Sequence, residues 1–419
     1  MSQVAAQPSS LLSGRSVTLG QGVGNSLSLG LIGVGGIGLI VAALLGFTGS
    51  KDVAMIVLAS YHVGVLFCVG MALGCMGIVM ILHQVNAGWS ALVRRQVENT
   101  MSMLFPVCAL LFLPILISTF VAPGKLWHWM DADYVAGDLI YAHKQPFLNV
   151  GFFTIRTIAY FVIWGFLAWK LYGYSRIQDS TADKWLTAKA RRMSSYGLLL
   201  FAVTTAFAGF DWIMSLDYHW FSTMFGVYFF AGNFGAALAV TILIMLALRR
   251  QEDFRSLVTQ EHLHDLGKLL FGFCVFWAYI GFSQYFLIWY ANIPEETSWF
   301  LARRTDTWYI YSILLAVCRF VIPFVVLMPR PFRRSPRVLA IAGVWILVCH
   351  ALDLFWMVRP EFTSYETGAD IGLSWQDVVA FVGPVALFAG LLVRKIISGP
   401  LVPTNDPRLA ESLHHKNTI

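Results

Sequence analysis

Asp211, Asp217 and His219 stand in one stretch, FDWIMSLDYHWFSTMFG from Phe210 to Gly226, between two long apolar runs. Two carboxylates and an imidazole in so apolar a setting are groups suited to exchanging protons near neutral pH, because burial raises a carboxyl toward neutrality and histidine titrates there unperturbed. Further polar groups recur within apolar runs: His62, Arg156, Gln284, Asp306, Arg319, His350 and Asp353. His350 and Asp353 are three apart and share a helix face. FDWIMSLD (Phe210 to Asp217) and LDLFWMVR (Leu352 to Arg359) each place an Asp ahead of Trp and Met near the end of an apolar run, the trace of a repeat.

The elements that position these groups follow from composition. The chain of 419 residues is 58% hydrophobic and 12% charged, too apolar for a water-soluble globule. A hydrocarbon core about 30 Å thick takes about 20 apolar residues per spanning helix, and about ten such windows recur. They run from Leu27 to Phe47, Val53 to Leu82, Met101 to Val121, Asn149 to Leu171, Ser195 to Leu216, Phe221 to Leu248, Leu266 to Tyr290, Asp306 to Met328, Val338 to Met357 and Gln376 to Val393. Short polar connections leave no room for a soluble domain, and no alternating pattern marks a barrel. The expected fold class is an all-α polytopic membrane protein. Residues 1–26, rich in Ser, Gly and Gln, read as a flexible tail, and the apolar run after them is longer than a signal-peptide core.

With the N-terminus in the cytoplasm, the inner side holds Arg15, Arg94, Arg95, Lys184, Lys189, Arg191, Arg192, Arg249, Arg250, Arg255, Arg330, Arg333, Arg334, Arg394 and Lys395, among others. The outer side holds only Lys51, Lys125, Lys144, Arg303, Arg304 and Arg359. Positive charge in short loops sets orientation, so both termini are expected to be cytoplasmic. The net charge of +6 then reflects topology and no nucleic-acid partner. The outer loops are acidic and aromatic; Trp127, Trp129, Trp220, Trp299 and Trp375 fit an interfacial belt in contact with membrane lipids, while the acidity suits docking of a soluble protein. After Pro294, the residues Glu295, Glu296, Trp299, Arg303 and Arg304 have the spacing of a short surface helix, either paired internally or offered to a partner.

An ionisable group inside a spanning helix costs roughly 2.5 to 3.5 kcal/mol on insertion scales. At the helical rise per residue, His62, Arg156 and Asp211 lie about 10 Å from the outer boundary. Gln284, Asp306, His350 and Asp353 also fall in the outer third, and Arg319 at mid-membrane. Two readings compete: ion pairs that pin helices together, or a half-channel through which water and protons reach the interior. Asp217 and His219 fall in the tight turn to the next span, where they line a wet mouth or cap a helix starting at Phe221. His62 and His350 lie at similar depth, as facing haem ligands would, although no spacing brings them together. The six cysteines, Cys68, Cys75, Cys108, Cys274, Cys318 and Cys349, form no CxxC or CxxCH pattern, so no covalent haem, iron–sulfur ligand set or other metal site is expected.

FDWIMSLDYHWFSTMFGVYFFAG (Phe210 to Gly232) and FSQYFLIWYANIPEETSWFLARR (Phe282 to Arg304) closely resemble the ActF subunits of bacterial alternative complex III, a quinol:electron acceptor oxidoreductase. The resemblance covers nearly the whole chain and extends to the NrfD and PsrC membrane anchors. It implies a membrane domain of residues 27–397 built from two four-helix bundles, spans 2–5 (53–216) and 6–9 (221–357), flanked by spans 1 and 10 and followed by a cytoplasmic tail, 398–419. It also implies a multi-pass location in the bacterial inner membrane beside an ActC-like sister subunit, with multihaem cytochrome c and iron–sulfur subunits on the periplasmic face. A role in proton translocation, without a metal in this chain, belongs to the same expectation.

The better-supported quinol site of such complexes is in the sister subunit. If this chain takes quinol or menaquinol, the candidate pocket is that around His62, Arg156 and Asp211, where a base and an acid would receive the two quinol protons. Two other readings stay open: a scaffold for the soluble redox subunits, and a stand-alone secondary transporter.

Overall fold

The computed structural model describes residue 12 and residues 17–20, 22–363 and 372–417, and the backbone but not the side chain of Asp306. Most of the 1–26 stretch, Arg15 included, and residues 364–371 of the last long loop lie outside the described residues. Ten helical segments there are long and apolar enough to cross a membrane: α1 (Asn25–Thr48), α2 (Lys51–Gln84), α3 (Gly88–Val121), α4 (Val150–Thr181), α5 (Lys184–Leu216), α6 (Phe225–Leu248), α7 (Gln260–Ala291), α8 (Thr307–Leu327), α9 (Pro336–Glu361) and α10 (Trp375–Ile397). No β-strand occurs among the described residues. The chain is an all-α, multi-pass membrane protein. Ten crossings return both ends to one side, the terminal face; the long loops gather on the opposite, distal face.

Local chemistry sets several helix starts. Ser50 accepts the Val53 N–H at 3.3 Å, Asn149 the Phe152 N–H at 2.8 Å and Asp183 the Trp185 N–H at 2.9 Å, each satisfying a backbone donor that the first turn leaves open. At α10, Ser374 and Asp377 cap each other reciprocally.

The helices α2 and α6 form the centre: 94% and 72% of their apolar windows are buried within the chain, against 11% for α1. Around α2 pack α3 and α5, with α4 against α5; around α6 pack α7 and α9, with α8 against both of these. The two groups meet where α2 lies on α6, and glycine permits that approach, since a Cβ on Gly70 or Gly74 would overlap Asn233. The pair α1 and α10 packs on the outside of α2. There a Cβ on Gly38 would come within 2.9 Å of Gly383 Cα, so these two backbones also meet across small residues.

Two helices depart from the sequence expectation. The third span was expected to start at Met101, but a helical turn and a helix over Ala91–Met101 precede it, and every residue of that helix is buried although it contains Arg94, Arg95, Gln96, Glu98 and Asn99. Arg94 and Arg95 are therefore not loop residues. Arg94 pairs with Glu98 and Asp406, and Arg95 with Glu98 at 3.4 Å and Asp179 at 2.8 Å, so the polar half-helix carries its own counter-charges. The second departure is a π-helical turn in α8 at Val317–Val321, with Arg319 at its centre.

The stretch after 398 packs against the terminal face. Leu401, Val402 and Leu409 are fully buried, Asp406 reaches Arg94, and the Leu401 N–H donates to Val17 O at 2.7 Å.

Candidate functional site

In the first helix group, Arg156 sits about 9 Å along α4 from the distal end, and Asp211 about 8 Å from the distal end of α5. Arg156 is fixed over the rings of Phe147 and Phe152, at 3.8 and 4.2 Å. Its Nε and Nη2 donate to the two Asp211 oxygens at 2.8 and 2.7 Å, a bidentate pair. The Tyr160 hydroxyl donates to the same carboxylate at 2.6 Å, and Asp211 has no exposed surface. His62, on α2, does not join this cluster. It is fully buried, its Nε2–H donates to Trp212 O at 2.9 Å, and its Nδ1 has no hydrogen-bond partner. The pocket expected from His62, Arg156 and Asp211 is accordingly filled: Phe112 and Trp127 pack edge-on against His62, and the Asp211 oxygens are committed to Arg156 and Tyr160.

The second group repeats the pairing deeper in the membrane. Arg319 of α8 lies 2.5 Å from the Asp353 carboxylate of α9, and the Tyr228 hydroxyl of α6 donates to Asp353 at 2.5 Å. Arg319 also stands 4.4 Å from the Trp277 ring centre and 3.1 Å from His350 Nδ1. The unprotonated nitrogen accepts in that contact, because a guanidinium only donates. The His350 Nε2 has no partner. Asp353 and Asp211, matched in the sequence through FDWIMSLD and LDLFWMVR, thus hold the same position: each sits on the fourth helix of its group and pairs with an Arg on the third. His62 and His350 do not face each other; the first packs against Trp127 and the second against Phe67.

Between the groups and the distal face lies a polar cavity of about 390 Å³ lined by Lys125, His128, Asp131, Asp217, Tyr218, His219 and Glu361, among others. Asp217 and His219 line this mouth and do not cap a helix: α6 starts at Phe225, and the Asp217 carboxylate accepts the N–H groups of His219 and Trp220 at 3.1 and 3.4 Å, closing a local turn. The His219 ring lies 2.6 Å from Asp138, which also accepts from the Tyr218 hydroxyl at 2.7 Å. The Tyr218 bond, backed by the backbone N–H of Tyr141, holds the Asp138 carboxyl below the usual carboxylate range. Burial pushes His128 below the ordinary histidine value, against the pull of nearby carbonyls and Asp131.

A larger, apolar cavity of about 730 Å³ lies between α7 and α8 under the surface helix Pro294–Ala302, and Gln284 lines it. Arg303, expected as a docking residue, is buried there: it donates to Trp356 O, Trp299 O and Met357 O, stacks on the Trp299 ring at 3.4 Å and pairs with Glu361 at 2.9 Å. A guanidinium so committed is not available to a partner. Glu295 and Arg304 remain exposed and Glu296 half-buried. Asp306 opens the helix Asp306–Ala316, and its side chain lies outside the described residues.

Two groups of buried polar residues escaped sequence reasoning. Tyr160 and Tyr228 looked like ordinary aromatics, yet each hydroxyl ends on a buried Asp. Arg359 and Asp377, counted with the outer loops, form a fully buried pair at 2.8 Å that Ser60 of α2 joins. Asn233, visible in the sequence as a polar residue inside the sixth span, has its side chain at the α2–α6 contact, 1% exposed, and neither amide atom has a hydrogen-bond partner. Among the described residues no cluster of His, Cys, Asp and Glu has the form of a metal site.

Fold and site together define a multi-pass α-helical membrane protein with paired ionisable groups buried between its helices. No protein-family model and no curated protein matches the chain.

Proposed function

We propose that this chain is an integral membrane subunit of a respiratory quinol:electron acceptor oxidoreductase of the alternative complex III type, with both termini in the bacterial cytoplasm, and that its part is proton transfer coupled to quinol oxidation. The single observation that carries the proton role is the duplicated buried Arg–Asp pair, Arg156–Asp211 in one group and Arg319–Asp353 in the other, each carboxylate also taking a tyrosine hydroxyl, from Tyr160 of α4 and from Tyr228 of α6. A lone structural tie needs no repetition at corresponding helices. Beside the clusters stand the unpartnered His62 Nδ1, His350 Nε2 and Asn233 amide, groups whose burial costs about 1–3 kcal/mol each unless water or a transferred proton satisfies them. The polar mouth at Asp217, His219 and Asp131 supplies contact with bulk water on the distal face. The complex itself, with its sister membrane subunit and peripheral multihaem cytochrome c and iron–sulfur subunits, is supported by the resemblance of Phe210 to Gly232 and Phe282 to Arg304.

Affinity purification from native membranes tests the complex. The chain is expected to bring c-type haem, iron–sulfur signals and quinol-dependent acceptor reduction with it. Recovery as a lone protein that transports a solute would overturn the reading in favour of a secondary transporter. Full activity and unchanged proton release in variants neutral at both Asp211 and Asp353 would leave the scaffold role.

A further inference from the structure

The cavity between α7 and α8 owes its existence to α8. Below the π-helical turn at Val317–Val321, α8 packs against α7; above it, the stretch Asp306–Ala316 swings away, and the distal halves of the two helices stand apart. A π-turn inside an α-helix commonly marks a functional position. The resulting space of about 730 Å³ falls within the range of small-molecule sites and is walled by aromatic rings, with Trp277 and Tyr228 on the inner side and Trp299 and Phe300 beneath the surface helix. Its mouth faces the hydrocarbon: Phe282 is 65% exposed, Tyr309 50% and Ile313 48%.

One feature of the lining selects the occupant. Gln284 projects from α7 about 10 Å inside the distal end. It is 93% buried, being 7% exposed, lines the cavity, and its side-chain amide makes no hydrogen bond to any described residue. An acyl chain in the cleft would leave that amide desolvated and unpaired. A ring that bears oxygen would satisfy it and stack on the aromatic walls. The Tyr228 hydroxyl on the same wall donates to Asp353, so the cavity abuts the second ion cluster.

We propose that the α7–α8 cleft binds a lipid-soluble ring compound of the quinone and hydroquinone class, with a ring oxygen hydrogen-bonded to the Gln284 amide, the ring against Tyr285 and Phe300, and the apolar chain leaving past Phe282 and Ile313 into the bilayer. The ligand class rests on the quinol-linked reading above; the demand for a hydrogen-bonding occupant rests on Gln284 alone. The site differs in place from the His62 region, which the fold fills with Phe112 and Trp127.

The experiment is photolabelling of the purified native complex with an azido-naphthoquinone, followed by peptide mapping. Label is expected on peptides holding Ala278, Gln284 and Ile313. Gln284→Leu should weaken labelling roughly tenfold, the effect of losing one buried hydrogen bond. Ala278→Phe, which fills the cleft, should abolish it. Label confined to other helices or other subunits overturns the site. So does a phospholipid chain occupying the cleft, with labelling indifferent to both substitutions. Quinol-dependent turnover of the same preparation separates the two claims: turnover without cleft labelling removes the site and leaves the proposed function, and cleft labelling without turnover does the reverse.

Discussion

The pair Arg156–Asp211 permits a quantitative test of the buried clusters. Asp211→Leu removes a carboxylate that accepts three hydrogen bonds, at 2.8, 2.7 and 2.6 Å, and has no exposed surface. Arg156, itself 8% exposed, would keep only the Phe147 carbonyl at 3.0 Å and its ring contacts. Removing one partner of a buried pair costs about 3–5 kcal/mol, chiefly because the other charge stays buried without compensation. Replacing both residues with Leu removes the uncompensated charge, and such exchanges are often neutral or stabilising. The double variant should therefore be less destabilised than Asp211→Leu or Arg156→Leu alone, with a coupling of about 2–4 kcal/mol. Unfolding in mixed micelles, followed by tryptophan fluorescence and read as a double-mutant cycle, measures this. Single substitutions that each cost under about 1 kcal/mol and add without coupling would refute the buried-pair reasoning.

Three further outcomes are expected. Asp406→Ala should destabilise by about 3–5 kcal/mol by leaving Arg94 with Glu98 alone beneath the terminal face; a change within about 0.5 kcal/mol would place Asp406 on a solvated surface. Gly74→Leu should prevent α2 from seating on Asn233 and Ala237 of α6 and abolish recovery of folded protein, whereas normal yield and melting would contradict the close helix contact. His128 has a lowered folded pKa from burial, so the unfolded chain takes up a proton first. Its contribution to stability is full above the unfolded value of about 6.5 and declines as pH falls below it. The melting temperature should drop between pH 7 and pH 5, and less steeply in His128→Gln; identical slopes would show that His128 does not titrate differently on folding.

Much of the fold was legible because length and apolarity alone define a spanning helix. What misled was burial of charge. The stretch LVRRQVENT reads as a polar loop, yet it lies inside the protein because Asp179 and Asp406, both remote in sequence, neutralise its arginines. No local pattern announces a counter-charge 84 or 312 residues away. Arg359 and Arg303 were misread for a related reason: their partners, Asp377 for the one and Glu361 with backbone carbonyls of α9 for the other, stand on different helical elements that only the fold brings together.

Within the candidate site, the Asp repeat carried real information: both aspartates hold corresponding positions and both meet an arginine from the preceding helix. The hydroxyls of Tyr160 and Tyr228 were invisible, since a tyrosine in an apolar run is usually packing. The His62 pocket failed because depth along a helix gives no rotation, and rotation turns His62 toward Phe112 and Trp127.

The most direct test of the central claim is the number of protons released per electron by the complex reconstituted in sealed vesicles, comparing the native chain with Asp211→Asn and Asp353→Asn. Both substitutions keep side-chain shape and remove the charge. A lowered proton-to-electron ratio, with haem content and subunit composition unchanged, is the predicted result. An unaltered ratio in both variants and in their combination would contradict it.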